Sequence, residues 1–283
     1  MMTRLIDGKA IAAGIRARVA AEVAADFPDQ ARAPGLATVL VGDDQASAVY
    51  VAGKRHAVAQ AGMRDLHRAL PGTSTQREVA AVIDELAADP AVSGILLQLP
   101  LPKGLDSAAL IERIPAGKDV DGLTTLSAGL LARGGAGLRP CTPSGVIQLL
   151  DAESVPVAGA RAVVVGRSEL VGRPLAQLLL HRDATVTIAH SKTADLAAVT
   201  READILIAAA GVRGLIGAEH VKPGATVIDV GIHRTETGLA GDVRAAEVTG
   251  IAARLTPVPG GVGPMTIAML IANTLTAARW SLG

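Results

Sequence analysis

Short runs of almost wholly apolar residues alternate with longer stretches of helical composition along nearly the whole chain. The runs predict strands over Leu36–Val41, Ser93–Leu99, Arg161–Gly166, Thr185–Ala189, Asp204–Ala208 and Thr226–Val230. Between them, Ser47–Ala61, Arg77–Ala88 and Pro174–His181 have helical composition. Strands apolar on both faces and separated by helices are the signature of a parallel sheet covered on both sides, so the fold class is α/β. The stretch from Ala128 to Pro143, with glycines at 134, 135 and 137, reads as a linker before a helix over Ser144–Leu150. Residues 160–232 then hold four strands, a doubly wound mononucleotide-binding unit with right-handed crossovers, and Pro264 opens a last helix running to Trp280.

Composition narrows the functions this pattern can serve. The 283 residues suit two domains, 49% of them are hydrophobic, and 27 basic residues balance 27 acidic ones. Zero net charge gives no pull toward nucleic acid or an anionic membrane. Phe27, Tyr50 and Trp280, each alone in its type, are too few to stack a single strand of bases. Cys141 is the only cysteine, which excludes an intrachain disulfide and suits a reducing compartment. Neither a signal-peptide run nor an apolar stretch of membrane-spanning length is present, so the chain reads as soluble and cytoplasmic.

The strongest local signal follows the run 162–165, where Gly166-Arg167-Ser168-Glu169-Leu170-Val171-Gly172-Arg173-Pro174 leads into a helix. Gly166 allows a tight exit from the strand, Gly172 a close backbone approach, and Pro174 suits a first helical turn. The expectation is a helix N-terminus whose N–H groups face a phosphate. Ser168 stands where a dinucleotide fingerprint has its second glycine, so an ordinary strand-turn-helix connection explains these residues equally well. The strand Thr185–Ala189 ends in His190-Ser191-Lys192, with no carboxylate to hold a ribose 2′-hydroxyl. A hydroxyl and a cation there, with Arg167, favour the 2′-phosphate of NADP over NAD. Ser191 could equally cap a helix beginning near Thr193. His190 has no metal-like cluster around it, and no metal is expected.

Candidate reacting groups gather earlier in the chain. Ser47, Tyr50 and Lys54 are spaced by three and four residues, which places them on one helix face. A lysine drawn out of water becomes a usable acid or base near neutrality. Taken singly, Lys54 has a bland use as a solvated lysine and Tyr50 as a packing residue. Gln98 precedes Leu99-Pro100-Leu101-Pro102 at a strand's carboxyl end, where open α/β sheets bind ligands, although an edge amide paired to backbone would look the same. Lys118-Asp119-Val120-Asp121-Gly122 reads as an acidic turn, a solvated loop when considered alone. The segment 257–266, with Pro259, Gly260 and Gly261 at its centre, is poor in side chains and could admit a flat ligand or simply be a rigid turn.

Together these motifs resemble the bifunctional methylenetetrahydrofolate dehydrogenase/cyclohydrolase family. The likeness runs from Ile6-Asp7-Gly8 to the last helix, through the motifs above together with Pro140-Cys141-Thr142-Pro143 and Val230-Gly231-Ile232. It implies a folate-binding catalytic domain of residues 1–139 plus 265–283 and a Rossmann-like NADP domain of residues 140–264, with the C-terminal helix returning to the first. It implies oxidation of 5,10-methylenetetrahydrofolate by NADP and hydrolysis of the product to 10-formyltetrahydrofolate, in a homodimer. By the resemblance Lys54 is the acid/base, Tyr50 stacks on or orients the folate, Gln98 holds Lys54, Asp121 binds the pterin N–H groups and Ser47 supports that wall. Gly166, Arg167, Ser168, Gly172 and Ser191 hold NADP, backbone at Ile232 meets the nicotinamide, and Pro259–Gly261 lie where folate and nicotinamide meet. Cys141 lies near the lysine by the same pattern or is a buried structural thiol. The sequence departs at Gly53 and His56, and neither change removes a reacting group. The alternative carried forward is a monofunctional NADP-linked oxidoreductase with another small substrate.

Overall fold

The structure is a computed structural model describing residues 2–236 and 238–282; the side chains of residues 45–49 lie outside that description. The chain divides into two compact units, one of Met1–Ala12 and Thr142–Thr266, the other of Ala13–Cys141 and Ile267–Gly283.

In the second of these units, strand Gly35–Val41 is central. It pairs in parallel with Arg64–Asp65 and Arg68–Leu70 on one side and Gly94–Leu97 on the other. Alternation sends Ala37, Val39 and Val41 to one face, where they pack with Val79, Ile83 and Leu86 of helix Gln76–Ala88. That helix is bounded chemically at both ends. Thr75 and Glu78 form a reciprocal capping box, and the Lys118 ammonium donates to the carbonyls of Ala87 and Asp89, both at 2.8 Å. The segment Lys118–Gly122 is therefore no solvated loop: Asp119 and Val120 are buried.

The other unit holds a six-stranded, wholly parallel sheet in the order Arg4–Leu5, Arg254–Leu255, Thr226–Asp229, Ile205–Ala208, Arg161–Val165, Thr185–Ala189. Arg4–Leu5 reaches this sheet from the chain's start, which is why Met1–Ala12 cluster here and not with the residues that follow them. A two-residue strand leaves too short a pattern to read.

Two boundaries differ from the sequence reading for one physical reason. Helix Cys141–Ala152 starts before Pro143, and helix Gly172–Leu180 starts before Pro174. A proline within the first turn gives up an N–H that has no intrahelical partner there, so the helix can begin ahead of it. The expected linker also contains structure: Thr124 caps helix Thr125–Ala132 by accepting from the Ser127 N–H. No helix among the described residues is long and apolar enough to cross a membrane.

Candidate active site

Lys54 lies on helix Gln45–Gln60, the crossover that follows the central strand of the second unit, and is only 8% exposed. Its ammonium donates to Gln98 Oε1 at 2.9 Å. Gln98 is held in turn, its main-chain N–H on Val39 O at 2.9 Å and its amide on Leu99 O at 2.6 Å. Tyr50 is 43% exposed, and Ser47, in the helix's first turn, has its side chain outside the described residues.

Asp121 reaches this lysine because the loop beneath it is built rigidly. The Asp119 carboxylate, fully buried, accepts from the N–H groups of Leu123 and Thr124 and from the Ser127 hydroxyl, at 3.1, 2.8 and 2.7 Å. Gly122 has φ +65°, and a Cβ there would fall 2.7 Å from the backbone of Arg139 and Pro140. Cys141 donates its thiol proton to Val120 O at 3.2 Å, and Asn273 donates to Val120 O and Arg139 O, both at 2.8 Å.

The electrostatics of the group follow from its burial. Desolvation pushes Lys54 below the usual lysine range, partly offset by the negative charge of Asp121. Desolvation pushes Asp121 up, opposed by the Lys54 charge. The Cys141 thiol is pushed well above its ordinary value by burial and by Asp121. The site thus offers an amine readier than usual to lose its proton, a carboxylate beside it, and a thiol that stays protonated. Asn273 was not a sequence candidate. The available signal was a lone amide within the apolar helix Val262–Trp280.

The cofactor candidates lie along the carboxyl edge of the six-stranded sheet. Val165 and Ala189 are parallel partners, and the Gly166 N–H donates to Ala189 O at 2.8 Å, so Arg167 and Ser168 leave the sheet beside Ser191 and Lys192. Gly166 has φ +127°, and a Cβ there would meet Ala209 O at 2.1 Å; one on Gly172 would meet Gly166 O at 2.2 Å. These glycines are required by the turn's own packing. One expectation is corrected here. The first amides of helix Gly172–Leu180 do not face outward, because Ser168 Oγ accepts from the N–H groups of Val171 and Gly172 and Ser168 O from that of Arg173. Pro174 has none to offer. Ser168 keeps an exposed hydroxyl proton, since its oxygen already accepts twice.

Ser191 does not cap a helix either. The next one, Leu196–Thr200, is capped by Asp195, and Thr193 instead accepts from the His190 N–H. Ser191 is left exposed, as are Arg167 and Lys192, and neither cation has a carboxylate partner among the described residues. Two such cations and two hydroxyls, with no carboxylate in His190-Ser191-Lys192 and Glu169 paired to Arg173, fit an anionic phosphate on the cofactor's ribose. Ile232, 43% exposed, follows Thr226–Asp229 along the same edge. Gly260 has φ +107°, and a Cβ on Gly261 would fall 2.6 Å from Pro257 O, so this loop too is tightly wound on itself. A cavity of about 410 Å³ between Asp204, Lys222 and Arg254 opens at the opposite, amino-terminal edge of the sheet and contains none of these residues. Among the described residues no His, Cys, Asp and Glu cluster could hold a metal.

Comparison with known proteins agrees with both halves. Residues 6–121 match the model of the tetrahydrofolate dehydrogenase/cyclohydrolase catalytic domain, and residues 140–282 match that of the family's NAD(P)-binding domain. "Bifunctional protein FolD 2" of Frankia alni is 68% identical over 279 residues, covering 99% of this chain and 97% of its own. The methylenetetrahydrofolate dehydrogenase/cyclohydrolase structure from Campylobacter jejuni superposes with a TM-score of 0.95 at 43% identity, covering 98% of this chain and 99% of that one. The Trypanosoma brucei enzyme, solved with NADP cofactor and an inhibitor, also gives 0.95, at 39% identity and with 100% and 99% covered.

Proposed function

The chain belongs to the tetrahydrofolate dehydrogenase/cyclohydrolase family, and on that premise we propose that it oxidises 5,10-methylenetetrahydrofolate with NADP and hydrolyses the 5,10-methenyl product to 10-formyltetrahydrofolate. The observation that carries the reading is the buried Lys54, held by Gln98 in the electrostatic reach of Asp121 and Cys141.

In the first half, NADP supplies the hydride acceptor. Hydride loss from the one-carbon bridge leaves a cation that the two flanking nitrogens stabilise, so the chain's task is alignment more than proton transfer. Arg167, Ser168 and Ser191 hold the phosphates, Gly166 and Gly172 shape the turn that presents them, and backbone at Ile232 meets the nicotinamide. Asp121 accepts from the pterin's N–H donors, which compensates the carboxylate for its burial. Tyr50 stacks on the folate, Ser47 supports the same wall, and the loop Pro259–Gly261 admits the two rings.

In the second half, water adds to the amidinium carbon and must lose a proton, while the leaving nitrogen must gain one. Lys54 takes the first proton as a neutral amine and returns it as an ammonium, and Gln98 keeps the Nζ aimed through both transfers. A pKa lowered by desolvation suits both roles. The enzyme acts as a homodimer in the cytoplasm; the family resemblance supports the first and a single free cysteine the second. The test is one spectrophotometric assay with methylenetetrahydrofolate. We expect NADPH formation with a kcat/KM for NADP⁺ at least about tenfold above that for NAD⁺, the worth of one charge-assisted hydrogen bond. An equal or greater rate with NAD⁺ would overturn the roles of Arg167 and Ser191.

A further inference from the structure

Two buried carboxylates on the cofactor edge take no part in the chemistry above. Asp229 ends a strand, and Asp242 follows the hairpin of His233–Thr235 and Gly238–Ala240. Each carboxylate is wrapped by backbone N–H groups, Asp229 by its own turn and the chain at Asp242, and Asp242 by the chain at Ala210. Asp229 accepts from the N–H groups of Gly231, Asp242 and Val243, at 3.0, 2.9 and 3.0 Å. Asp242 Oδ2 accepts from those of Ala210 and Gly211, at 2.7 and 2.8 Å, where the neighbouring strand leaves the sheet. The fit leaves no room for side chains: a Cβ on Gly231 would lie 2.3 Å from Asp242 Oδ1, and one on Gly241 1.8 Å from Asp229 Oδ2.

One oxygen remains. Asp242 Oδ1, on a side chain with no exposed surface, has one partner among the described residues, His233 Nε2 at 2.7 Å. A carboxylate already accepting from backbone can only accept, so the imidazole carries its proton on Nε2 and donates it. Ile232 stands between the two ties, with Gly231 fastened to Asp229 before it and His233 fastened to Asp242 after it. Its side chain is 43% exposed, and a Cβ placed on Gly263 would lie about 3.6 Å from its Cδ1.

We propose that His233 is a positioning residue, holding the Ile232 backbone in place for the nicotinamide end of the cofactor through its hydrogen bond to buried Asp242. The inference rests on the reading that Ile232 meets the nicotinamide. It predicts a defect confined to that end. The phosphate-binding residues Arg167, Ser168 and Ser191 leave the sheet from other strands, and the lysine site belongs to the other unit.

The experiment measures, by calorimetry, the affinity of wild type, His233→Ala and His233→Gln for NADP⁺ and for adenosine 2′,5′-bisphosphate, which lacks the nicotinamide. Cyclohydrolase activity on methenyltetrahydrofolate is followed in parallel. We expect His233→Ala to weaken NADP⁺ about tenfold, the loss of one charge-assisted hydrogen bond. Bisphosphate affinity and cyclohydrolase rate should stay within about twofold, because neither draws on the His233–Asp242 hydrogen bond. Glutamine, which can present an amide donor to Asp242, should restore most of the NADP⁺ affinity. Unchanged NADP⁺ affinity in His233→Ala, parallel loss of both ligands, or no recovery with glutamine would each overturn the role of His233. Equal affinity of the wild type for the two ligands is a separate outcome and would overturn the Ile232 reading itself.

Discussion

In water a lysine holds its proton throughout the physiological range, and on a helix surface Lys54 would do the same. Desolvation weakens that hold here, and Gln98 contributes a neutral acceptor that directs the Nζ without restoring its charge preference. The same burial has the opposite chemical result at Cys141. A thiol pushed well above its ordinary value, donating to Val120 O, is no nucleophile at neutral pH. Its role is packing beside Asn273, which binds the two carbonyls that flank the Asp121 turn. Cys141→Ala should therefore lower either activity by less than about tenfold, short of the roughly 10²-fold that loss of a general acid or base costs. Steady-state rates of NADPH formation and of methenyl decay check this, and a loss of 10²-fold or more would give the thiol a chemical role. Lys54 and Tyr50 were legible as residues because helical spacing is rigid. The depth of one and the exposure of the other were not, since burial depends on strands and loops distant in sequence.

At the scale of elements, the sheets were the readable part. Fully apolar strands announce themselves, and Thr185–Ala189 matches its expected bounds. The strands of two or three residues, Arg64–Asp65 and Arg254–Leu255 among them, are fixed by pairing with longer neighbours and carry no periodicity of their own. Loop chemistry was the hardest to foresee. That Ser168 would occupy the first helix amides, and that Asp229 would clasp the loop at Asp242 while Asp242 clasps the one at Ala210, depends on distances between segments that sequence does not display. The Asp229 clasp has a thermodynamic consequence. Burial raises its carboxyl to about 6, against three stabilising backbone N–H bonds. Between about pH 4, where an unfolded aspartate titrates, and about pH 6, the folded chain retains a proton that the unfolded chain has released. The contribution of Asp229 to stability therefore falls as pH rises through that window. Asp229→Asn does not titrate, so the stability of the variant relative to wild type should rise between pH 4 and pH 6. Urea unfolding midpoints of both proteins at several pH values measure it; a constant difference, or one of opposite slope, would contradict the raised carboxyl.

For the molecule as a whole, the two activities draw on different parts of the chain. On the proposed reading, hydride transfer needs the cofactor edge of the six-stranded sheet and an aligned folate, whereas hydrolysis needs proton transfer at Lys54, in the unit of Ala13–Cys141 and Ile267–Gly283. The family was legible because seven short motifs fell in order from Gln98 and Lys54 to the Gly260 loop, each weak alone. The grouping of Met1–Ala12 with the later residues was not, because it follows from one short strand joining a distant sheet. In that reading Lys54 transfers protons in the hydrolytic reaction and takes no chemical part in hydride transfer. The measurement that tests it most directly compares both rates in wild type and Lys54→Met, which keeps much of the apolar stem and removes the amine. Decay of methenyltetrahydrofolate should slow by about 10²-fold or more while NADPH formation falls by less than about tenfold. Equal loss of the two rates, or retention of both, would contradict the assignment of Lys54 as the acid and base of the hydrolytic half.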